Sequence, residues 1–500
     1  MRFIGSCRRV VLTVATTLLL LPAALQAQFV YVSNNGTPFN TPGDVSAFTI
    51  NSSTGALTPV PGSPFPAGLE PVFVAVDPSG KFAYVAGNIV GPSPGNVSAF
   101  TINSSTGTLT AVAGSPFPAG AGPTSMAVDP IVSPADLDST FIYVVNNQDN
   151  TISGYVIDPT NGALITVGGS PFLVGFLNFP LFMAIHPSGK FAYVTVSTPG
   201  FPSNGNISVY TIGDGGNLQP IPGSPFPAVP GPIAVDPSGK FAYVPTGVGL
   251  LAVPGSIQGF TIDSTSGEPT PFPGSPVPTG PNPTAIAIDP SGKFVYVVSD
   301  NYPLPSNVQG YTINSSTGAL TPVPGSPFPA GLEPVFVAVD PSGKFVYVAN
   351  VGSNNVSGYM IDPTNGVLTP ISGSPFPAGI GPNSVAITGC AKPPNITGLS
   401  ASPATLWPPN HELIDVLVNY DVAAPCGEPA VCTLSVASSE PDDQASPDWV
   451  VVDEHHVELR AERLGNRTGR IYTVTVRCKD ARGNLATQNT AVIVSHDQGH

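Results

Sequence analysis

Arginine is absent between Arg9 and Arg460, and charged residues of both signs make up only 9% of the 500-residue chain, against about a quarter in an ordinary soluble domain. With a formal net charge of −15, no cluster of Lys and Arg is available to displace counterions, so nucleic acid is excluded as a partner. Disorder is excluded as well, because 41% of the residues are hydrophobic and disorder goes with low hydrophobicity and high charge. Cysteine is missing between Cys7 and Cys390, so no disulfide framework holds most of the chain. No paired C-x-x-C spacing occurs, which argues against a zinc site; no metal ligand set and no cofactor motif stand out. Glycine does not recur every third residue, which removes a collagen reading. Beyond the N-terminus no apolar run approaches the roughly 20 residues of a membrane span.

What is present begins with residues 1–27, which read as a signal peptide. Arg2, Arg8 and Arg9 precede the apolar run 10–21, and Leu25-Gln26-Ala27 offers a cleavage site. The mature chain is therefore expected to be exported, whether secreted, periplasmic or at the cell surface, with no membrane span left. After Cys7 is removed, Cys390, Cys426, Cys432 and Cys478 remain. An even number in an exported chain is expected to form two disulfides. Three pairings are possible, with Cys390–Cys426 and Cys432–Cys478 favoured.

Glycine (54) and proline (61) are abundant because the chain repeats. The stretch 51–82 recurs unchanged at 314–345, with weaker copies between, and a period near 50 residues points to a propeller or an array. Each unit holds four strand-like runs. The first ends in an Asp-Pro turn, as at 74–77 and 337–340. The second carries Tyr31, Tyr84, Tyr143, Tyr193, Tyr243, Tyr296 or Tyr347. The third alternates apolar and polar residues, and the fourth follows a glycine and enters a Gly-Ser-Pro-Phe-like stretch. Runs of β-branched and aromatic residues bounded by Gly, Pro, Asn and Ser are the strand signature. Four runs in seven units predict an all-β fold with a seven-bladed β-propeller over 28–389. The mature chain opens on a second-type strand, and the surplus first-type strand lies at 384–387, so one blade should join three N-terminal strands to one C-terminal strand.

The motifs Pro-Ser-Gly-Lys-Phe-Ala-Tyr-Val-Ala at 78–86 and Phe-Val-Tyr-Val-Ala-Asn at 345–350 resemble the lactonase-type seven-bladed propeller family. So do the Tyr/Phe-x-Ile-Asp/Asn and Thr-Gly-x-Leu stretches that follow them. That family includes 6-phosphogluconolactonase-like enzymes and surface proteins of the Tyr-Val-Thr-Asn repeat type. The resemblance implies the propeller fold. Its enzymes hold anionic substrates with His, Arg and carboxylates at one mouth, and no matching motif carries over: the segment 28–389 has no Arg, five Lys in one repeated turn, and 17 acids. A phosphate or carboxylate would meet a repelling field with no bidentate partner.

No catalytic residue is therefore assigned. His186 is the only histidine of the propeller segment, yet it stands where sibling repeats place the turn Asp, so a turn role is expected over that of a general base. By strand direction, the variable connections after the second strand share a face with the links between units. That loop-rich face carries the candidate binding residues Glu70, Asp149, Phe176, Phe201, Leu250, Asp300, Tyr302 and Glu333. Variable loops on a rigid scaffold are where binding usually resides. Beyond Cys390 the remaining arginines appear and the alternation lengthens. Six strand-like runs between 413 and 495 predict a small antiparallel β-sandwich over 390–500. The run Tyr472–Cys478 resembles the end of an extracellular immunoglobulin-like module. The adjacent His455 and His456 read as a solvated strand or turn, since neighbours on a strand point to opposite faces. The expected function is that of an exported binding or surface-interaction protein for a protein or carbohydrate ligand. A lactone hydrolase and a purely structural envelope protein are the alternatives.

Overall fold

The computed structural model describes residues 28–36, 41–88, 93–130, 140–175, 178–198, 205–247, 254–301, 306–389, 394–423, 430–440, 447–463, 469–480 and 485–495. The expected signal peptide, together with Cys390, Cys426, Phe176, Phe201, Leu250 and Tyr302, lies outside them. Strands dominate, and no helix occurs among the described residues.

Seven sheets follow one plan. In the second blade, Pro71–Val76 is innermost, Phe82–Gly87 lies next, Pro94–Ile102 third, and Leu109–Ala111 outermost. The seven innermost strands neighbour one another in a closed ring. The first blade is composite: Pro382–Ile387 pairs antiparallel with Gln28–Asn34, Val30 opposite Ile387, so both chain ends of the propeller lock into one sheet and no blade edge is left open there.

Where four strands per blade were expected, each sheet has five. The fourth run splits: in the second blade Leu109–Ala111 pairs with one half of the third strand, and Phe117–Ala121 returns to pair with the other half. The cause is the Gly-Ser-Pro stretch between them, whose proline removes a ladder donor and confines itself to an edge. The serine fills the gap, its hydroxyl accepting a third-strand N–H in all seven blades, as Ser115 does from Ala99 at 2.9 Å.

Blades pack through seven apolar clusters, one per interface. A second device registers each blade on the next. The buried second-strand tyrosine donates to a glycine carbonyl in the following blade: Tyr31 to Gly107, Tyr84 to Gly162, Tyr143 to Gly216, Tyr193 to Gly267, Tyr243 to Gly318 and Tyr296 to Gly366. Tyr347 closes the circle onto Gly55 at 2.7 Å. Burial pushes all seven hydroxyls well above the usual tyrosine range, which keeps them as donors. The acceptor must be glycine for two reasons. Gly216 has φ +77°, and a Cβ there would overlap the Phe141 ring of the preceding blade.

The C-terminal residues form two four-stranded sheets. One runs Asn395–Ser402, Leu413–Ala423, His456–Arg460 and Trp449–Val451. The other runs Thr405–Leu406, Leu485–Ser495, Gly469–Asp480 and Ala430–Ser438. Val416, Val418, Val457 and Leu459 of one sheet meet Tyr472, Val474, Val476, Val492 and Val494 of the other in a shared core. Thr405–Leu406 and Asn395–Ser402 were not expected. The former pairs over only two residues, too short for an alternation to register. A disulfide joins Cys432 to Cys478 at directly opposed positions of neighbouring strands. Buried Arg470 donates to Asp448 at 2.8 Å and to the Tyr472 hydroxyl at 3.0 Å, giving the buried guanidinium the partners that burial requires.

Gly216→Ala is expected to cost at least ~2 kcal/mol in a thermal or urea melt, from the left-handed backbone and the overlap with Phe141. Gly168→Ala, with open space around it, is expected to stay within about 0.5 kcal/mol of the parent. Equal effects would remove the interblade role given to Gly216.

Candidate functional site

The two faces of the propeller differ in kind. One carries the Asp-Pro-Ser-Gly-Lys turns between first and second strands. In these the buried Asp collects backbone donors: Asp340 Oδ1 accepts from Lys344 N and Phe345 N at 2.8 and 2.7 Å, and Oδ2 accepts from Ser342 N at 3.0 Å. Burial raises the Asp77 carboxyl, and its hydrogen bonds to Ser79 and Phe82 pull it back. Lys81, Lys190, Lys240, Lys293 and Lys344 are all exposed on this face.

His186 occupies the same turn. Its Nδ1 accepts from Ser188 N at 3.0 Å, as the sibling Asp does, and its Nε2 lies 2.9 Å from the Gly239 carbonyl of the next blade. The ring is 7% exposed and edge-on to Phe191. Both nitrogens are engaged in holding the turn, so neither is presented to a substrate.

On the loop-rich face, the residue just before an innermost strand adopts positive φ, and its carbonyl accepts the N–H of the residue after the second strand. Glu70 (φ +40°) accepts from Asn88 at 3.0 Å, Glu333 (φ +51°) from Val351 at 2.9 Å, and Asn282 (φ +41°) from Asp300 at 3.1 Å. Gly122 and Gly381 do the same for Asn147 and Asn35. A left-handed glutamate costs roughly 1–2 kcal/mol, and such strain gathers where the surroundings over-determine it. Here the following proline and the corner hydrogen bond do so.

The expected site residues are thus placed, but not gathered. Glu70 is buried at the entry to the second blade. Asp149 is exposed in the third, its Oδ2 accepting from Ala121 N at 2.5 Å. Asp300 lies in the sixth, where Oδ1 accepts from the Ser306 hydroxyl at 3.3 Å. Glu333 is half-buried at the entry to the seventh. Among the described residues, no three His, Cys, Asp or Glu side chains converge as a metal site would require. No charged side chain sits on any innermost strand, and Phe73 and Phe336 meet edge to face at 5.4 Å beside the first blade's innermost strand.

The structure adds residues that pattern reading missed. Asn34, Asn146 and Asn350 end the second strands of the first, third and seventh blades and are essentially fully buried. Each spends its amide donor on the third strand: Asn34 on Asp44 and Ser46, Asn146 on Thr151 and Ser153, Asn350 on Asn355 and Ser357. Each leaves its Oδ1 without a donor. The signal was there in the repeated Val-x-Asn and Val-Val-Asn endings. Burial lifts the Asp44 carboxyl, offset by the Asn34 amide. The face also exposes Leu173, Phe179, Leu332 and Ile380.

In the C-terminal sheets the paired histidines part company. His455 Nδ1 lies 3.0 Å from the Val418 carbonyl with the ring stacked on Tyr420, while His456 Nδ1 lies 3.0 Å from the Asp453 carboxylate.

A closed ring of seven sheets makes this a seven-bladed propeller, with its irregular connections on one face. A family model described as lactonase, 7-bladed beta-propeller, matches residues 94–272, 220–339 and 272–380. The chain belongs to that family. Among solved structures, a putative 6-phosphogluconolactonase of Bacteroides fragilis is similar at 19% identity and TM-score 0.59, over 73% of this chain and 99% of that one. One of Bacteroides uniformis gives 17% and 0.58, over 73% and 100%. A periplasmic gluconolactonase of Pseudomonas aeruginosa gives 16% and 0.56, over 73% and 99%. At these identities the likeness is one of fold. A search of curated proteins finds no significant match. No helix of the described residues is long and apolar enough to cross a membrane.

His186→Ala is expected to lower stability by about 1–2 kcal/mol through the hydrogen bonds lost to Ser188 and Gly239. His186→Asp, which restores the sibling turn, should recover most of it in the same melt. A histidine variant that keeps its stability would undo the turn assignment.

Proposed function

We propose that this is an exported binding or surface-interaction protein, without catalysis, that engages a protein or carbohydrate ligand through the loop-rich face of its propeller. In this reading residues 28–389 form the propeller and 390–500 an immunoglobulin-like sandwich that it carries. The observation that carries the reading is the distribution of exposed large apolar side chains. Among the described residues of the propeller there are six, and four of them, Leu173, Phe179, Leu332 and Ile380, stand at the links between blades on that one face. Apolar groups gathered at one surface favour a contact. The acids beside them are spread over separate blades, which suits recognition better than proton transfer, since a general base needs a positioned partner. The Cys432–Cys478 disulfide and the likeness to a periplasmic gluconolactonase support export.

A second reading, hydrolysis of a sugar lactone, is favoured by the two similar structures described as putative 6-phosphogluconolactonases. The test is direct. Opening of gluconolactone and 6-phosphogluconolactone, followed by acid release, is expected to match the buffer rate. Turnover above buffer that is lost in Asp300→Asn or Glu333→Gln would replace the binding reading with the hydrolase.

A further inference from the structure

Among the described residues, strand edges are guarded almost everywhere, and one is not. The outermost strands of the seven blades, such as Leu320–Pro322, are three residues long, and most end in proline. In the C-terminal sheets Thr405–Leu406 and Trp449–Val451 are as short, and Asn395–Ser402 breaks register between Thr397 and Ser400. Each of these features blunts an edge. The exception is Ala430–Ser438, nine residues without charge, proline or glycine, which ends its sheet. It pairs with Gly469–Asp480 from Ala430 to Ser438 without a break in register, and among the described residues no strand lies on its other side. Ser439 continues the register and donates its N–H to the Ile471 carbonyl at 2.9 Å. By the alternation of an antiparallel ladder, Ala430, Cys432, Leu434, Val436 and Ser438 therefore turn their N–H and C=O groups to the open side. The core is open there too. Cys432 and Val436 are half-buried, although their cross-strand partners Cys478 and Val474 are fully buried. On Trp449–Val451, which neighbours this edge, Val451 shares the inward side with buried Val457 yet is 42% exposed.

We propose that a second copy of this chain adds its own Ala430–Ser438 at this edge, antiparallel about a two-fold axis at Leu434, so that two four-stranded sheets become one. The proposal goes beyond the propeller reading, and neither depends on the other. The strand is close to self-complementary. Reading outward from Leu434, Thr433 mirrors Ser435, Cys432 mirrors Val436 and Val431 mirrors Ala437. In that register Leu434 exchanges both ladder bonds with its own counterpart, Cys432 does so with Val436, and Ala430 with Ser438. Thr433 falls opposite Ser435 at the non-hydrogen-bonded positions, where side chains approach most closely and two hydroxyls can bond. Apolar residues meet apolar residues on the inward side, which covers the open flank of the core. No charge of one strand faces a charge of the other. A two-fold pairing also consumes both open edges, so it closes as a dimer rather than growing as a sheet. A strand from another protein gains the backbone bonds but has no reason to mirror this sequence.

The test is sedimentation velocity on the full chain across a concentration series, with hydrogen exchange over 430–438 beside it. A dimer is expected, with exchange over that strand slowing as the dimer fills. Thr433→Glu with Ser435→Glu sets like charges opposite each other across the axis and is expected to weaken dimerisation about tenfold or more. Thr433→Glu with Ser435→Lys sets opposite charges there and should restore it. Both side chains are exposed, and circular dichroism matching the parent confirms the fold. Thr487→Glu with Asn489→Glu, exposed on the same sheet but away from the edge, should leave the dimer unchanged. The proposal is overturned by a parent chain that stays monomeric, which would hand the edge to a strand of another protein. It is overturned equally by assemblies larger than a dimer, by a Glu/Glu variant that dimerises like the parent, or by a Glu/Lys variant that does not recover. A control pair that weakens the dimer as much as the edge pair would also overturn it.

Discussion

At every interface of the ring a second-strand tyrosine makes a buried hydrogen bond to a glycine carbonyl one blade on, and the ring depends on that repeated bond. A four- or five-stranded sheet buries its faces only against other sheets, and apolar contact between twisted sheets is non-directional. The tyrosine supplies the missing direction. Its hydroxyl reaches one carbonyl, and the phenylalanine two residues earlier lies against the same glycine, so a blade that slid or tilted would lose both contacts. Each bond contributes only about 1 kcal/mol, yet an unmade one would leave a buried hydroxyl without a partner. The seventh bond, Tyr347 to Gly55, spans the closure, and with the strand pairing of Gln28–Asn34 to Pro382–Ile387 it makes the last interface equivalent to the other six.

That dependence explains which parts of the fold were legible. The tyrosines, the glycines and the Asp-Pro turns recur because geometry demands them at every interface, so seven units, their order and the composite blade follow from counting. The fifth strands were hidden for the opposite reason: Phe328–Pro329 and Phe376–Pro377 pair over only two residues, and even the longest, such as Phe117–Ala121, carry a proline and a glycine that break the alternation. Asn34, Asn146 and Asn350 were visible as letters but not as buried amides, since only the third-strand partners Ser46, Ser153 and Ser357 reveal how their donors are spent. Acids such as Asp149 and Asp300 could be assigned to a face by strand direction, but their separation around the ring needed coordinates.

The two faces answer to different constraints. On the turn face, every Asp, Ser and Gly is held by the hairpin it makes, and even His186 is drawn into that duty through Ser188 and Gly239. Lysine is tolerated there because its side chain is exposed and its backbone N–H can serve the turn Asp. On the loop-rich face only the corner carbonyl is demanded, and Gly, Asn and Glu all supply it. Side chains on that face are free to vary, and what they have become is acidic and apolar.

Family membership therefore says more about the turn face and the blade interfaces than about the loop-rich face. The motifs that resemble lactonase-type propellers, such as Phe-Val-Tyr-Val at 345–348, are strand and interface residues whose role here is packing. An activity toward anionic lactones would call on cationic or hydrogen-bond-donating groups at a mouth; the propeller segment has no arginine, and its five lysines are exposed on the turn face. Fold and surface thus answer to different constraints, and the chemistry of recognition is decided by the surface rather than by the ring that carries it.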